Sequence, residues 1–277
     1  MEILFGSFLF IALIIGVVLF FVIKAAPAPV SKKIILGSTQ KIREEIIEVR
    51  QKTYHLVGDV LAFYQQNDDA AIRQRYDNLR ANYSAIRTEV EVFRRRYASY
   101  ERRKVEAGFY ELCTNYDAVI MRSITSNENI VADVMSLDVF INRGMQISKE
   151  AQTFMYIYPS AEDTAQIDSL RANLQQLETN YAQLRQELSA ATFITGEARQ
   201  TAAGIIGRID RCTSHFAEMR RYLESNDITA YTARITTVDP SNLFDSASYI
   251  ELFNDAVNDK SIDTFQAAAD QAYYQEM

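Results

Sequence analysis

Six basic residues crowd into one short stretch, Arg94-Arg95-Arg96 followed by Arg102-Arg103-Lys104. Guanidinium and ammonium groups at that density can hold carboxylates, phosphates or an anionic lipid surface, the last at about 1 kcal/mol per residue close to the headgroups. The bland alternative is a solvated face, or pairing with the chain's own acidic tail. From Asp239 to the end there are eight acidic residues and one lysine, a local balance of −7 that equals the formal charge of the whole chain. Nucleic acid is a disfavoured partner, because the chain has no overall basic balance.

The other chemistry-bearing residues are sparse. His55 and His215 are the only histidines, and neither has a Cys, Asp or Glu neighbour in a recognisable ligand motif, so structural or surface roles are expected. Cys113 and Cys212 lie far apart and fit no metal spacing; they read as buried apolar residues of a reducing compartment. The stretch Asp239 to Glu251 superficially resembles a calcium loop, but Leu243 occupies a ligand step, the central glycine is missing and the glutamate comes one residue late. No phosphate-binding, dinucleotide-binding, nucleophile-elbow or zinc-protease pattern occurs. Neither catalysis nor a cofactor or metal is expected.

These residues must be positioned by helices. Glycine is scarce, proline scarcer, tryptophan absent, and tyrosine and phenylalanine recur at helical spacing, so the class is all-α. Ile3 to Ile23 is uncharged and apolar, long enough for a helix of roughly 30 Å, the thickness of a bilayer core. It reads as a single transmembrane helix, a signal anchor contacting membrane lipid through residues 3–23. Lys24, Lys32, Lys33, Lys41 and Arg43 follow it, which predicts an outside N-terminus and a cytoplasmic C-terminal domain. Pro27 and Pro29 make residues 25–33 a stiff linker after a 1–24 anchor.

An elongated antiparallel bundle with coiled-coil-like heptad seams is expected over 34–227. The first seam runs through Ile35, Ile42, Ile46, Val49, Leu56, Val60 and Phe63, with Thr39 and Thr53 in its vacant steps. The second alternates by four and three from Ile72 through Tyr76, Leu79, Tyr83, Ile86, Val90, Phe93 and Tyr97 to Tyr100, then loses register near Gly108, where a bend is expected. A Thr125-x-x-Glu128 capping box predicts the start of a third helix, ending before Pro159. Ser160-x-x-Asp163 predicts the start of a fourth, whose seam from Ile167 to Leu223 passes a stretch rich in small residues, Ala190 to Gly204. That stretch is read as room for tyrosines of the second helix, the alternative being a locally weak helix broken near Gly196. Residues 228–277 form an acidic segment with short helices, and Leu252, Phe253, Phe265 and Tyr273 are its candidates for docking a partner.

The function expected from these parts is that of a membrane-anchored helical scaffold, assembling with itself or with protein partners at the cytoplasmic face. Arg94, Arg95, Arg96, Arg102, Arg103 and Lys104 would contact membrane or an acidic partner. The alternative is a membrane-tethered sensor that signals by helix repacking.

Overall fold

A computed structural model describes residues 14, 15, 17, 28–61, 69–154, 156–235, 246–258 and 260–274, with only the backbone of 69, 246, 247, 272 and 273. Among the described residues all regular structure is helical. The helices are α1 (Lys32–Leu61), α2 (Asp69–Arg103), α3 (Ala107–Phe154), α4 (Thr164–Ala190), α5 (Gly196–Glu224), α6 (Ile228–Ile235), α7 (Ser246–Val257) and α8 (Ser261–Tyr274).

The four-three patterns become buried faces. In α1 the residues Ile35, Ile42, Ile46, Val49, Leu56 and Val60 are buried, together with Thr39 and Thr53. In α2 every seam residue from Ile72 to Tyr100 is buried except Tyr76, which is partly exposed. Each buried aliphatic or aromatic side chain contributes about 1.5–3 kcal/mol relative to exposure, which is why these faces decide the packing. Phe63, and Met155, the last seam residue expected in the third helix, lie outside the described residues.

Among the described residues no helix is long and apolar enough to cross a membrane. That finding overturns the single-pass assignment, with its outside N-terminus and cytoplasmic domain. Each described helix except the short α6 puts charged side chains on its exposed face, as helices packed along one side on protein neighbours do. The stretch 3–23 itself lies outside the described residues, apart from Ile14, Ile15 and Val17, which are exposed.

Contacts divide the chain into two compact units. The first comprises Met1–Glu44, Ile86–Met121 and Ser261–Met277, and the second Glu45–Ala85 and Arg122–Lys260.

In the first unit, α1 and α2 run antiparallel. Tyr100 donates its hydroxyl hydrogen bond to the Val30 carbonyl at 2.6 Å, Arg96 donates to Ser38 Oγ at 2.5 Å, and Lys41 pairs with Glu89 at 3.0 Å. The α2 partner number falls as the α1 number rises. The α2 and α3 segments pair in the same sense, through Tyr100 on Phe109 and Phe93 on Tyr116, with ring centres 5.1 and 5.6 Å apart. The expected bend is a full break. Lys104 and Glu106 take φ of 52° and 53°, in the left-handed region that costs a non-glycine residue about 1 kcal/mol or more, and Gly108 lies inside α3. Helix α8 joins this unit through Arg43 with Asp263 at 3.1 Å, and through the Tyr116 hydroxyl, 3.3 Å from Gln266 Oε1.

In the second unit the α4 and α5 helices form an antiparallel pair. Arg171 reaches the Leu223 carbonyl, Glu178 pairs with Arg220, Tyr181 stacks on Phe216, and Arg185 pairs with Asp210. The fourth helix expected over 160–225 is therefore two helices. Residues 191–195 separate them, and the Thr195 side chain caps α5 by accepting from Ala198 N. The N-cap of α4 is Asp163, which accepts from Gln166 N, so that helix starts three residues after the predicted Ser160 cap. The Thr125 box starts nothing: α3 runs unbroken for 48 residues, because Ile120, Ile124, Ile130, Val131 and Val134 keep one face buried through it. Helix α5 ends at Ser225-Asn226-Asp227, with Asn226 at φ 57° and the Asp227 amide bonded to the Tyr222 carbonyl at 2.8 Å.

Candidate functional site

The basic stretch divides into spent and free cations. Arg94 donates to Asp117 at 2.6 Å and to Glu91 at 2.5 Å, and the Asp117 hydrogen bond holds its guanidinium above the usual range. Arg96 is partly buried against Ser38, and Arg103 is partly buried and has a partner. Arg95, Arg102 and Lys104 are exposed.

The start of α1 meets the same end of this unit, where Lys32 pairs with Glu106 at 3.0 Å. Lys33 is exposed there, as are Ile34 at 53 % and Val105 at 42 %. The result is a small basic surface with two aliphatic side chains in it, a combination that suits an acidic segment with an apolar residue or two.

The expected docking residues of the C-terminal segment differ in burial. Phe253 is fully buried in the second unit, Leu252 and Phe265 are partly buried, and the Tyr273 side chain is outside the described residues. Tyr249 of α7 covers Gly204 so closely that an added Cβ would lie 2.4 Å from its hydroxyl. At Gly204 the small-residue stretch thus receives Tyr249 of α7.

Sequence reasoning missed the buried polar groups of α3. Asp117 accepts from Arg94 and, at 3.1 Å, from the Tyr97 hydroxyl. Ser123 accepts from Arg50 at 3.1 Å, and Ser148 shares a 3.0 Å hydrogen bond with Tyr181. Asp133, 2 % exposed, takes three donors at the break between α4 and α5: Ile194 N at 3.0 Å, with Thr195 N and Thr195 Oγ1 each at 2.7 Å. A carboxylate at a helix start satisfies orphan amides and opposes the positive end of the helix dipole. Each of these groups is a structural fastening, and the only sequence signal was a polar residue on an otherwise apolar face.

His215 is buried at 1 % exposure and neither ring nitrogen has a hydrogen-bond partner. Burial, followed by the charge of Arg234, lowers its pKa to about 4, while Glu218 opposes this weakly. It is a neutral core residue at pH 7. Burial likewise pushes the Cys113 thiol up to about 12 and the Cys212 thiol up to about 11, so neither is poised as a nucleophile. Among the described residues no group of three His, Cys, Asp or Glu side chains could hold a metal.

One further feature is a groove of about 580 Å³ in the second unit, lined by Lys52, His55 and Asp59 of α1 and by Arg75, Asn78, Leu79, Ala81 and Asn82 of α2. His55, expected in a structural or surface role, is exposed and forms part of its wall.

No family model matches this chain, and neither a curated protein nor a solved structure matches it.

Proposed function

We propose that this chain is a helical interaction protein, a scaffold that assembles with itself or with partner subunits through its surfaces rather than by catalysis. The observation that supports this most is the division of labour in the basic stretch. Arg94 and Arg96 serve the interior of their unit, while Arg95, Arg102 and Lys104 face solvent, as do Ile34 and Val105 of the same unit. Spent cations need no partner; exposed ones in a unit that also exposes aliphatics suit one. The seams of α1 and α2 are coiled-coil-like in spacing and stiffen the elements that present this surface.

The contact we favour is an acidic segment, and residues 239–277, at −7, supply one in every copy of the chain. Leu252 and Phe265, partly buried, are the residues of that segment that could add apolar contact. A zero-length lysine-to-carboxylate crosslinker applied to a mixture of heavy- and light-isotope copies of the whole chain tests this. Expected are mixed-isotope crosslinks from Lys33 or Lys104 to acidic residues beyond 239. Crosslinks only within copies, with a monomer at low salt, would remove self-assembly from the proposal.

A second reading, a sensor that responds to a ligand by helix repacking, is favoured by one observation, the polar groove between α1 and α2.

A further inference from the structure

The groove in the second unit has the size of a ligand site: about 580 Å³, within the range of roughly 300–1,000 Å³ typical of small-molecule pockets. It arises from the spacing of its walls. Lys52, His55 and Asp59 are three and four residues apart and share one face of α1, and Arg75, Asn78 and Asn82 do the same on α2. The two helices are fastened by Thr53 to Tyr83 at 2.9 Å, and Leu79, 3 % exposed, contributes an apolar patch to the lining.

The chemistry of the walls is one-sided. Asp59 is the only carboxylate of the lining, and Arg75 already answers it at 2.5 Å. Lys52 is held by Glu48 at 2.6 Å, a pair open to solvent on both sides and worth little on its own. The side chains of His55, Asn78 and Asn82 make no hydrogen bond to protein among the described residues, so an imidazole and two amides face the groove without a protein partner. Ammonium, guanidinium, imidazole and amide N–H groups together outnumber the free acceptors, and the lining carries a formal charge of +1 from Lys52, Arg75 and Asp59. A guanidinium can take an oxyanion edge-on, and an ammonium acts as a point charge beside it.

We infer that this groove binds a small oxyanion bearing more than one carboxylate or phosphate group, held by Lys52 and Arg75 and oriented by His55, Asn78 and Asn82. The inference is independent of the interaction surface of the first unit and would stand if that surface bound nothing. Carboxylate and phosphate ligands share this chemistry, and two probes separate them: citrate and pyrophosphate.

Isothermal titration of the whole chain with each probe tests the site. At least one should bind saturably with a stoichiometry near one, and the double variant K52Q/N78A should weaken it at least tenfold. Both side chains are exposed, so circular dichroism of that variant should match the parent. The variant K149Q, at an exposed lysine outside the groove, should leave binding unchanged. Citrate binding alone identifies a carboxylate ligand and pyrophosphate binding alone a phosphate ligand. Absence of saturable binding for both, or binding that K52Q/N78A leaves intact, overturns the site.

Discussion

The α4–α5 pair and the α3 helix differ in how much polarity their largely apolar buried faces carry. Along α4 and α5 the buried residues are almost all apolar, Ile167 to Leu188 on one helix and Ala198 to Leu223 on the other, and Tyr181 stacks on Phe216. The buried face of α3 includes Asp117, Ser123, Asn127, Asp133, Asp138 and Ser148. An apolar face gains by leaving water and tolerates any close-packed neighbour. A polar one gains only where each group finds its own partner, so it fixes which neighbour and in which register.

The largest effect should come from the apolar pair. Replacing Phe216, fully buried, with Ala should cost about 4 kcal/mol in urea unfolding of the whole chain, and Phe216→Leu clearly less, because the loss is transfer plus cavity. Asp133→Ala should cost about 3 kcal/mol, since three donors lose their acceptor. Here shape cannot compensate: Asp133→Leu should be no better than Ala, while Asp133→Asn, which keeps an acceptor, should recover part of the loss. If a hydrophobic residue at 133 restores stability, the contrast between the two faces is wrong.

His215 is the polar intruder in the apolar pair and sharpens the same contrast through pH. Its folded pKa, about 4, lies below its ordinary value of 6.5, so the unfolded chain binds the extra proton first. Stability is therefore full above pH 6.5 and declines as pH falls toward 4. Between pH 7 and pH 5 the decline should be about 2 kcal/mol, and it should shrink in His215→Leu. Arg234 and Glu218 are the charged groups around it, and they pair with each other at 2.7 Å. The smallest effect belongs to Ser148→Ala, about 1 kcal/mol, because the Tyr181 hydroxyl loses one neutral partner.

The same contrast explains what could be read in the sequence. The α1 and α2 seams were legible because apolar residues repeat by four and three, and even Thr39 and Thr53 fell on the right steps: the Thr39 carbonyl accepts from Tyr116 at 2.6 Å, and Thr53 meets Tyr83. The length of α3 was not legible, since Ser123 and Asn127 interrupt its pattern where the helix continues. The break at 191–195 was legible only as an alternative near Gly196, for the opposite reason. Ala191 and Thr195 continue the repeat on paper, and the carboxylate that fixes the break is Asp133, 62 positions away from Thr195. Of the basic stretch, the cluster was visible but its division was not, because Asp117 and Ser38 are neighbours only after folding. The groove needed two faces brought together, and no motif within either helix announces it.

The central claim is that the exposed cations Arg95, Arg102 and Lys104 make this chain associate, and sedimentation velocity of the whole chain is its most direct test. Association at about 50 mM salt, weakened at about 500 mM and lost in R95E/R102E/K104E, is the predicted result, because exposed charges are screened by salt. A species indifferent to both salt and charge reversal, or association that grows with salt as apolar contact would, contradicts it.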